Sequence, residues 1–241
     1  MSRTLVISDI HGCVEALQRL LEQMRYEPGQ DTLLLLGDYV DRGPQSRETV
    51  DYVIELSRQP RCIALRGNHD QRLVDLVRSA DESVAERFLA HGGAQTVQSY
   101  CGVSAAQVDA DVVSQARGEI GGRYGHQIEF LASLPLYYED ERHLFVHAGI
   151  NPAYADWREQ PEHDFMYIKA TFHRSAPLPG KTVVFGHTRT VELHGSADVW
   201  FGDGKIGIDG GCAYGQQLNG LIYEAGSYRT LSVANPIHRG E

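Results

Sequence analysis

Cysteine is scarce in this chain: four in 241 residues, at positions 13, 62, 101 and 212, with no Cys-x-x-Cys pair among them. That spacing excludes a disulfide framework and a thiolate zinc site, and it fits a reducing compartment. Cations are also few. Lys and Arg number 22 against 32 Asp and Glu, for a formal net charge of -10, and no Lys/Arg cluster appears. Extended nucleic acid is therefore excluded as a partner, and a polyanion must be drawn by local cations, metals included. The N-terminus runs straight into a strand-like stretch without a charged segment and apolar core ahead of it, and no apolar run is long enough for a bilayer. The expectation is a cytoplasmic protein with no membrane partner. Repeats, low-complexity tracts and clear linkers are missing too, so residues 1–241 are read as one domain.

What is present is an alternation of strand-like runs and helical periodicity. Val14 to Arg25 sets Leu17, Leu20, Leu21 and Met24 on one face, and Ser46 opens a second helix carrying Val50, Val53 and Ile54. With the runs Thr4 to Ile7, Thr32 to Leu36 and Cys62 to Ala64, this predicts βαβαβ through about residue 66. Residues 71–134 are strand-poor and rich in Ala, Gln, Glu and Asp, which predicts a helical insert over the site. Ser104 and Gln107 read as a capping box for a helix towards Gln115. The second half is β-rich, with runs at 136–139, 143–146, 181–185, 205–208, 221–224 and 228–233. A Pro- and Gly-marked loop from Asn151 to Gly180 is expected to hold one short helix around Tyr167 to Phe172.

Five short islands hold most of the metal-capable side chains: SDIHG (8–12), GDYVDRGP (37–44), LRGNHD (65–70), VHAG (146–149) and FGHT (185–188). Each follows a strand-like run, and ligands at the C-terminal ends of several strands converge in an α/β sheet. Asp9 and His11, two apart beyond a strand, can point the same way and grip one cation. Asp38 is the candidate bridge, because a carboxylate has two oxygens and can hold two cations at the ~3.5–4 Å spacing of two-metal hydrolysis. Asn68, His147 and His187 complete the second cation. This mixture of nitrogen and oxygen donors suits first-row ions, manganese ahead of iron, zinc, nickel or cobalt, better than calcium.

The ordered set Asp9-x-His11, Gly37-Asp38-x-x-Asp41-Arg42-Gly43, Gly67-Asn68-His69-Asp70, His147-Ala148-Gly149 and Gly186-His187-Thr188 resembles the calcineurin-like metallophosphoesterases, in detail the phosphoprotein phosphatase group with its bacterial and phage members. The resemblance runs from Ser8 to about Gly220. It implies an α/β fold of two packed mixed β-sheets flanked by helices, in four αββα layers, with the site at the strand ends. It also implies in-line attack on phosphorus by a hydroxide bridging two cations. His69 would protonate the leaving group, with Asp41 orienting its ring and favouring the imidazolium. Arg42 would offer a planar fork to phosphate oxygens. Arg66 is either a second phosphate contact or a structural ion-pair partner. Lys169, two residues beyond Tyr167, stands either where phage relatives have a phosphate-binding arginine or as a plain helix-surface lysine. His91, before Gly92-Gly93, is a turn residue to inspect near the site. The other histidines, at 126, 143, 163, 173, 194 and 238, are assigned to surface or packing, and the glycines at 210, 211 and 215 to the fold.

Two positions bear on the substrate. Arg189 stands where phosphodiesterase-like relatives carry a second histidine in Gly-His-x-His, which resembles the phosphoprotein phosphatases. Bacterial dinucleoside-tetraphosphate hydrolases tend to have Ala where this chain has Asp41, and they lack an equivalent of Arg66. The leading expectation is thus a dinuclear phosphomonoesterase acting on phosphoserine, phosphothreonine or phosphotyrosine in a protein or peptide. A dinucleoside-polyphosphate hydrolase is the alternative, with a smaller phosphorylated metabolite also in reach. A catalytically silent scaffold would show ligand loss, and all six ligand positions are intact.

Overall fold

The computed structural model describes residues 3–235. The first three strands, β1 (Thr4–Ile7), β2 (Thr32–Leu35) and β3 (Cys62–Ala64), pair in parallel, joined by helices α1 (Val14–Met24) and α2 (Ser46–Ser57). Alternation along the strands decides what each face buries. Leu5, Ile7, Leu33 and Leu35 pack with Leu17, Leu20, Val50 and Val53 of the two helices, while Val6 and Leu34 join a separate cluster on the other face.

A helical run follows, comprising α3 (Asn68–Arg78), α4 (Glu82–Ala90), α5 (Gly93–Cys101), α6 (Ala110–Arg123) and α7 (Gly125–Ser133). It contributes Leu73, Phe88, Val97, Ile120 and Leu131 to the α1–α2 cluster, so it extends the helical layer of the first sheet. The helix expected from Ser104 starts later. Residues 105–107 make one 3-10 turn without a side-chain cap, and Asp109 is the residue whose carboxylate caps α6 by accepting from Val112 N. An aspartate at this position accepts from the helix's free amides, and Ser104 lies too far upstream to reach them.

The second sheet holds β4 (Tyr137–Glu139), β5 (His143–Val146), β6 (Thr182–Phe185), β7 (Trp200–Gly202) and β8 (Lys205–Gly207), in the order β4-β5-β6-β8-β7. Three short helices accompany it: α8 (Glu162–Tyr167), α9 (Ala170–His173) and α10 (Thr190–His194). The final hairpin, β9 (Gln217–Glu224) and β10 (Ser227–Ala234), returns to the first sheet, where β9 pairs antiparallel with β1. Each sheet is mixed and five-stranded. Val6, Leu34, Leu36 and Leu221 meet Phe145, Val184, Ile206 and Ile208 between the sheets, while Leu144, Val146, Val183 and Phe185 face Phe165 and Phe172 of α8 and α9 on the outside. The layers are therefore helix, sheet, sheet, helix. The strand Trp200–Gly202 escapes a sequence reading because its three residues show no buried alternation. The loop from 151 to 180 carries α8, α9 and a 3-10 turn at Trp157–Glu159 where one helix was expected. Among the described residues no helix is long and apolar enough to cross a membrane. His238 lies outside the described residues.

Candidate metal centre

All five sequence islands emerge at the C-terminal ends of parallel strands. Asp9 and His11 follow β1, Asp38 to Arg42 follow β2, Asn68 and His69 follow β3, His147 follows β5 and His187 follows β6. The backbone reverses sharply there. Asp9, His11, Asp38, Asp41, Arg42 and His187 all have φ between 46° and 72°, six of the nine non-glycine residues with positive φ among those described. Left-handed backbone costs of order 1 kcal/mol or more per residue and persists only where surrounding bonds over-determine it. Those bonds are present: His11 N donates to Asp38 O (2.8 Å), Asp9 N to Gly37 O (3.1 Å), and the buried carboxylate of Asp70 accepts from the amides of Asp38, Tyr39 and Gly67 at 2.8, 2.9 and 2.9 Å. Two glycines give the ligands room. A Cβ on Gly67 would stand 2.2 Å from Asp38 Oδ1, and one on Gly186 would stand 2.1 Å from Asp9 Oδ2.

Two buried donor clusters share Asp38. One joins His11, Asp38 and His69, and the other joins Asp38, His147 and His187, with ligand atoms within 4.8 Å of one another in each. Asp38 Oδ2 lies 3.5 Å from both His11 Nε2 and His147 Nε2, and Asn68 Oδ1 lies 3.0 Å from His147 Nε2. Asp38 is thus the one residue common to both clusters. His69, expected as an acid, also belongs to the first cluster. Asp9 is not in either cluster: its carboxylate accepts from Ser8 Oγ (2.6 Å) and from His187 N (3.0 and 3.2 Å). It remains buried beside the centre, where burial raises its pKa against the pull of His147.

The donor chemistry fits divalent ions. His11 Nδ1 donates to Val40 O (2.7 Å) and His147 Nδ1 to Leu36 O (2.9 Å), which orients each Nε2 inward. Burial, reinforced by Arg42, pushes His11 down to about 3, and burial drives His187 well below the usual histidine range, so both rings are neutral, the form that can bind a metal ion. His187 Nε2 is a buried nitrogen without a hydrogen-bond partner. Burial alone would raise the Asp38 pKa, yet the imidazoles of His147, His69 and His11 hold it well below the carboxylate range. His147 shows the converse: burial opposes its charge, but Asp38 and Asp9 lift it to about 9, which marks a point where positive charge is favoured.

His69 Nδ1 lies 2.6 Å from Asp41 Oδ2, as the acid pair requires. Its charge state differs from expectation. Burial, with Arg42 and Arg72 adding to it and Asp38 opposing, lowers His69 to about 3, and burial raises Asp41 to about 7. Burial is the main reason, and two guanidinium groups at the far edge of the ring add to it: Arg42 Nη2 sits 2.8 Å and Arg72 Nη1 3.1 Å from His69 Nε2. Arg42 also contacts His11 Nε2.

A cleft of about 380 Å³ opens over this centre, lined by Asp38, Asn68, His69 and His187 and by Arg42, Arg72, Lys169 and Arg189. Lys169 is therefore a cleft residue. Arg66 is not: its Nη1 donates to Ala132 O (2.8 Å) and its Nη2 pairs with Glu162 at 3.4 Å, which is the structural ion-pair role. His91 lines the cleft with its ring 6.5 Å from that of His69. A larger groove, about 530 Å³ beside Arg25 and Tyr52, lies away from every one of these groups and has no convergent ligands. Arg72 went unread in the sequence, although its place one helical turn after His69 was a usable signal. Thr96, which donates to Asp41 Oδ1 (2.7 Å) and accepts from Asp41 N (2.9 Å), gave no signal, since 55 residues separate the two.

The sequence matches the calcineurin-like phosphoesterase family over residues 2–204. The chain belongs to that family. Its similarity to the symmetrical bis(5'-nucleosyl)-tetraphosphatase of Methylococcus capsulatus is 33% identity over 61% of this chain and 43% of that protein, so the chain spans less than half of that relative. The asymmetrical bis(5'-nucleosyl)-tetraphosphatase PrpE of Anoxybacillus flavithermus is 27% identical over 90% of this chain and 89% of its own. Among solved structures, a protein serine/threonine phosphatase from Saccharomyces cerevisiae superposes with a TM-score of 0.59 at 14% identity, covering 98% of this chain and 81% of that one. That likeness shows the shared fold. As a member of the calcineurin-like phosphoesterase family, the chain carries clustered His and Asp side chains that could hold a metal ion.

Proposed function

We propose that this phosphoesterase hydrolyses dinucleoside polyphosphates of the diadenosine tetraphosphate type. The observation that carries the reading is the array of four cations, Arg42, Arg72, Lys169 and Arg189, along one cleft of a strongly acidic chain. A single phosphomonoester presents one charged group, whereas a polyphosphate presents several in a row, and only the latter matches cations distributed along the cleft. The full-length similarity to PrpE supports the same substrate class. It weighs against the phosphoprotein reading that Asp41 and Arg66 suggested, since Arg66 is turned to Ala132 O and Glu162.

Two divalent ions, manganese by preference, would be held by Asp38 with Asp9 and His11 on one side and with Asn68, His147 and His187 on the other, which leaves Nε2 of His69 for proton transfer. Such ions supply an activated water and neutralise phosphoryl oxygens. The chain's own groups do the rest. Arg42 and Arg72 now donate to His69 Nε2. When phosphoryl oxygens take over those guanidinium groups, Nε2 is free to carry a proton to the leaving oxygen, while Asp41 holds the ring through Nδ1. Arg189 and Lys169 bind the phosphates further along. A phosphomonoesterase remains the second reading, favoured by the 2.6 Å pairing of Asp41 with His69.

The test is product analysis. Metal-loaded protein given diadenosine tetraphosphate should yield nucleotides separable by chromatography, either two ADP or ATP with AMP. Phosphate release from phosphopeptides at higher kcat/KM, with no nucleotide formed, would favour the second reading instead.

A further inference from the structure

Beside the metal cleft lies a second groove of about 400 Å³ whose walls include Arg42 and Tyr214, both shared with the cleft. Its remaining lining combines the small residues Ala90, Gly92 and Ala213 with two polar side chains, His91 and Gln95. Tyr214 is one of three large hydrophobic side chains exposed among the described residues, at 48%. It ends a one-turn 3-10 segment, Cys212–Tyr214, and two guanidinium groups flank it: Arg189 at 4.4 Å and Arg42 at 5.1 Å from the ring centroid. An exposed aromatic held in this way, at the boundary between a cationic cleft and a second groove, is unexplained by phosphate chemistry alone.

Resting on the proposed function, we infer that this groove is a nucleobase subsite, in which a purine attached to the phosphates in the cleft stacks against Tyr214 beside the Arg42 guanidinium. Phenol rings and guanidinium planes are the side chains that stack on bases. The small residues Ala90, Gly92 and Ala213 leave width for a flat ring, and Gln95 carries both a donor and an acceptor for its edge. His91, which lines both spaces, has its Nδ1 committed to Arg87 O (2.7 Å), so its Nε2 is an acceptor suited to an exocyclic amine. Because the groove joins the cleft through Arg42, one ligand can fill both. Tyr214 is thus a specificity residue for a nucleotide over a bare phosphate ester.

The experiment measures inhibition of p-nitrophenyl phosphate hydrolysis by AMP and by ribose 5-phosphate, which differ only in the base. Metal-loaded wild-type protein should respond to AMP at roughly tenfold lower concentration, the scale of one stacked base. That preference should fall within about twofold of unity in Tyr214→Ala and survive in Tyr214→Phe. Ala90 is exposed, so Ala90→Trp should close the groove and abolish the preference even if the tyrosine variant fails to fold. Equal inhibition of wild type by the two compounds would overturn the subsite, as would a preference that survives Tyr214→Ala or Ala90→Trp. The readout does not depend on the polyphosphate reaction. A protein that prefers AMP but leaves diadenosine tetraphosphate intact would defeat the proposed function and spare the subsite.

Discussion

Gly67→Ala tests how closely the backbone of one strand end grips the bridging ligand. The backbone at Gly67 has φ -94°, which alanine adopts freely, so conformational strain is excluded as a cause. The added methyl would stand 2.2 Å from Asp38 Oδ1 and 2.4 Å from Asp38 N, far inside contact distance. Nothing near it is a flexible side-chain end: Asp38 is buried, with its amide bonded to Asp70 and its Oδ1 accepting from His69 N at 2.9 Å. Overpacking of this kind costs about 2 kcal/mol, and in a chain of this size that lowers the melting temperature by roughly 4–8 °C. The larger effect should fall on metal binding, because pushing Oδ1 turns the whole carboxylate and moves Oδ2, the oxygen that faces His11 and His147. If manganese at 100 times its dissociation constant stabilises wild type by about 2.7 kcal/mol, a tenfold weaker site in the variant loses about 1.4 kcal/mol of that gain. Thermal melts with and without manganese, run beside the activity assay, read both quantities. Gly118→Ala is the internal control, since its methyl meets nothing within 4 Å in a helix and should stabilise by about 0.5–1 kcal/mol. A Gly67→Ala protein with wild-type metal-induced stabilisation and turnover would refute the claim that Asp38 is held by this contact.

Asp38→Asn should abolish hydrolysis and the manganese-induced rise in melting temperature together, and turnover near wild type would remove Asp38 from the bridging role. His69→Asn should slow substrates with poor leaving groups by ~100-fold or more while slowing aryl phosphates less, because only the former need a proton; equal slowing would argue against the acid. Chelation of metal should silence the enzyme, with activity returning on titration of two equivalents of manganese; full recovery at one equivalent would refute the paired centre. His173 supplies a pH signature away from the metal ligands. Burial, with Lys169 and Lys205 adding to it, lowers its pKa to about 4. The unfolded chain then binds the proton more tightly, so stability contributed by the neutral ring is present above about pH 6.5 and lost as pH falls towards 4. His173→Phe should flatten the pH–stability curve in that window, and an unchanged slope in denaturant titrations would discount the residue.

The ligand islands were legible because each combines a strand-like run with donors at its end, and strand ends in an α/β sheet face one edge. Asp38, His147 and His187 were read this way and are brought together, while the His69–Asp41 pair came from the family resemblance and lies at 2.6 Å. The α1–α2 region was legible for a similar reason, since its apolar residues repeat at helical spacing and bury one face. Ser104 misled because a capping pattern names a helix start only if the chain continues as helix, and here three residues of 3-10 turn intervene.

By itself the sequence determined the candidate donors, the first βαβαβ run and the family resemblance, because metal-ligand chemistry and hydrophobic period are local properties of residue type and spacing. Only the tertiary structure decided where charge resides. Arg72 and Arg42 meet on one edge of His69, Arg66 turns away to Glu162, and Tyr214 stands between Arg189 and Arg42 at a groove formed by segments more than 100 residues apart. Those outcomes depend on burial and on contacts between distant segments, and neither is encoded in the spacing of any one motif.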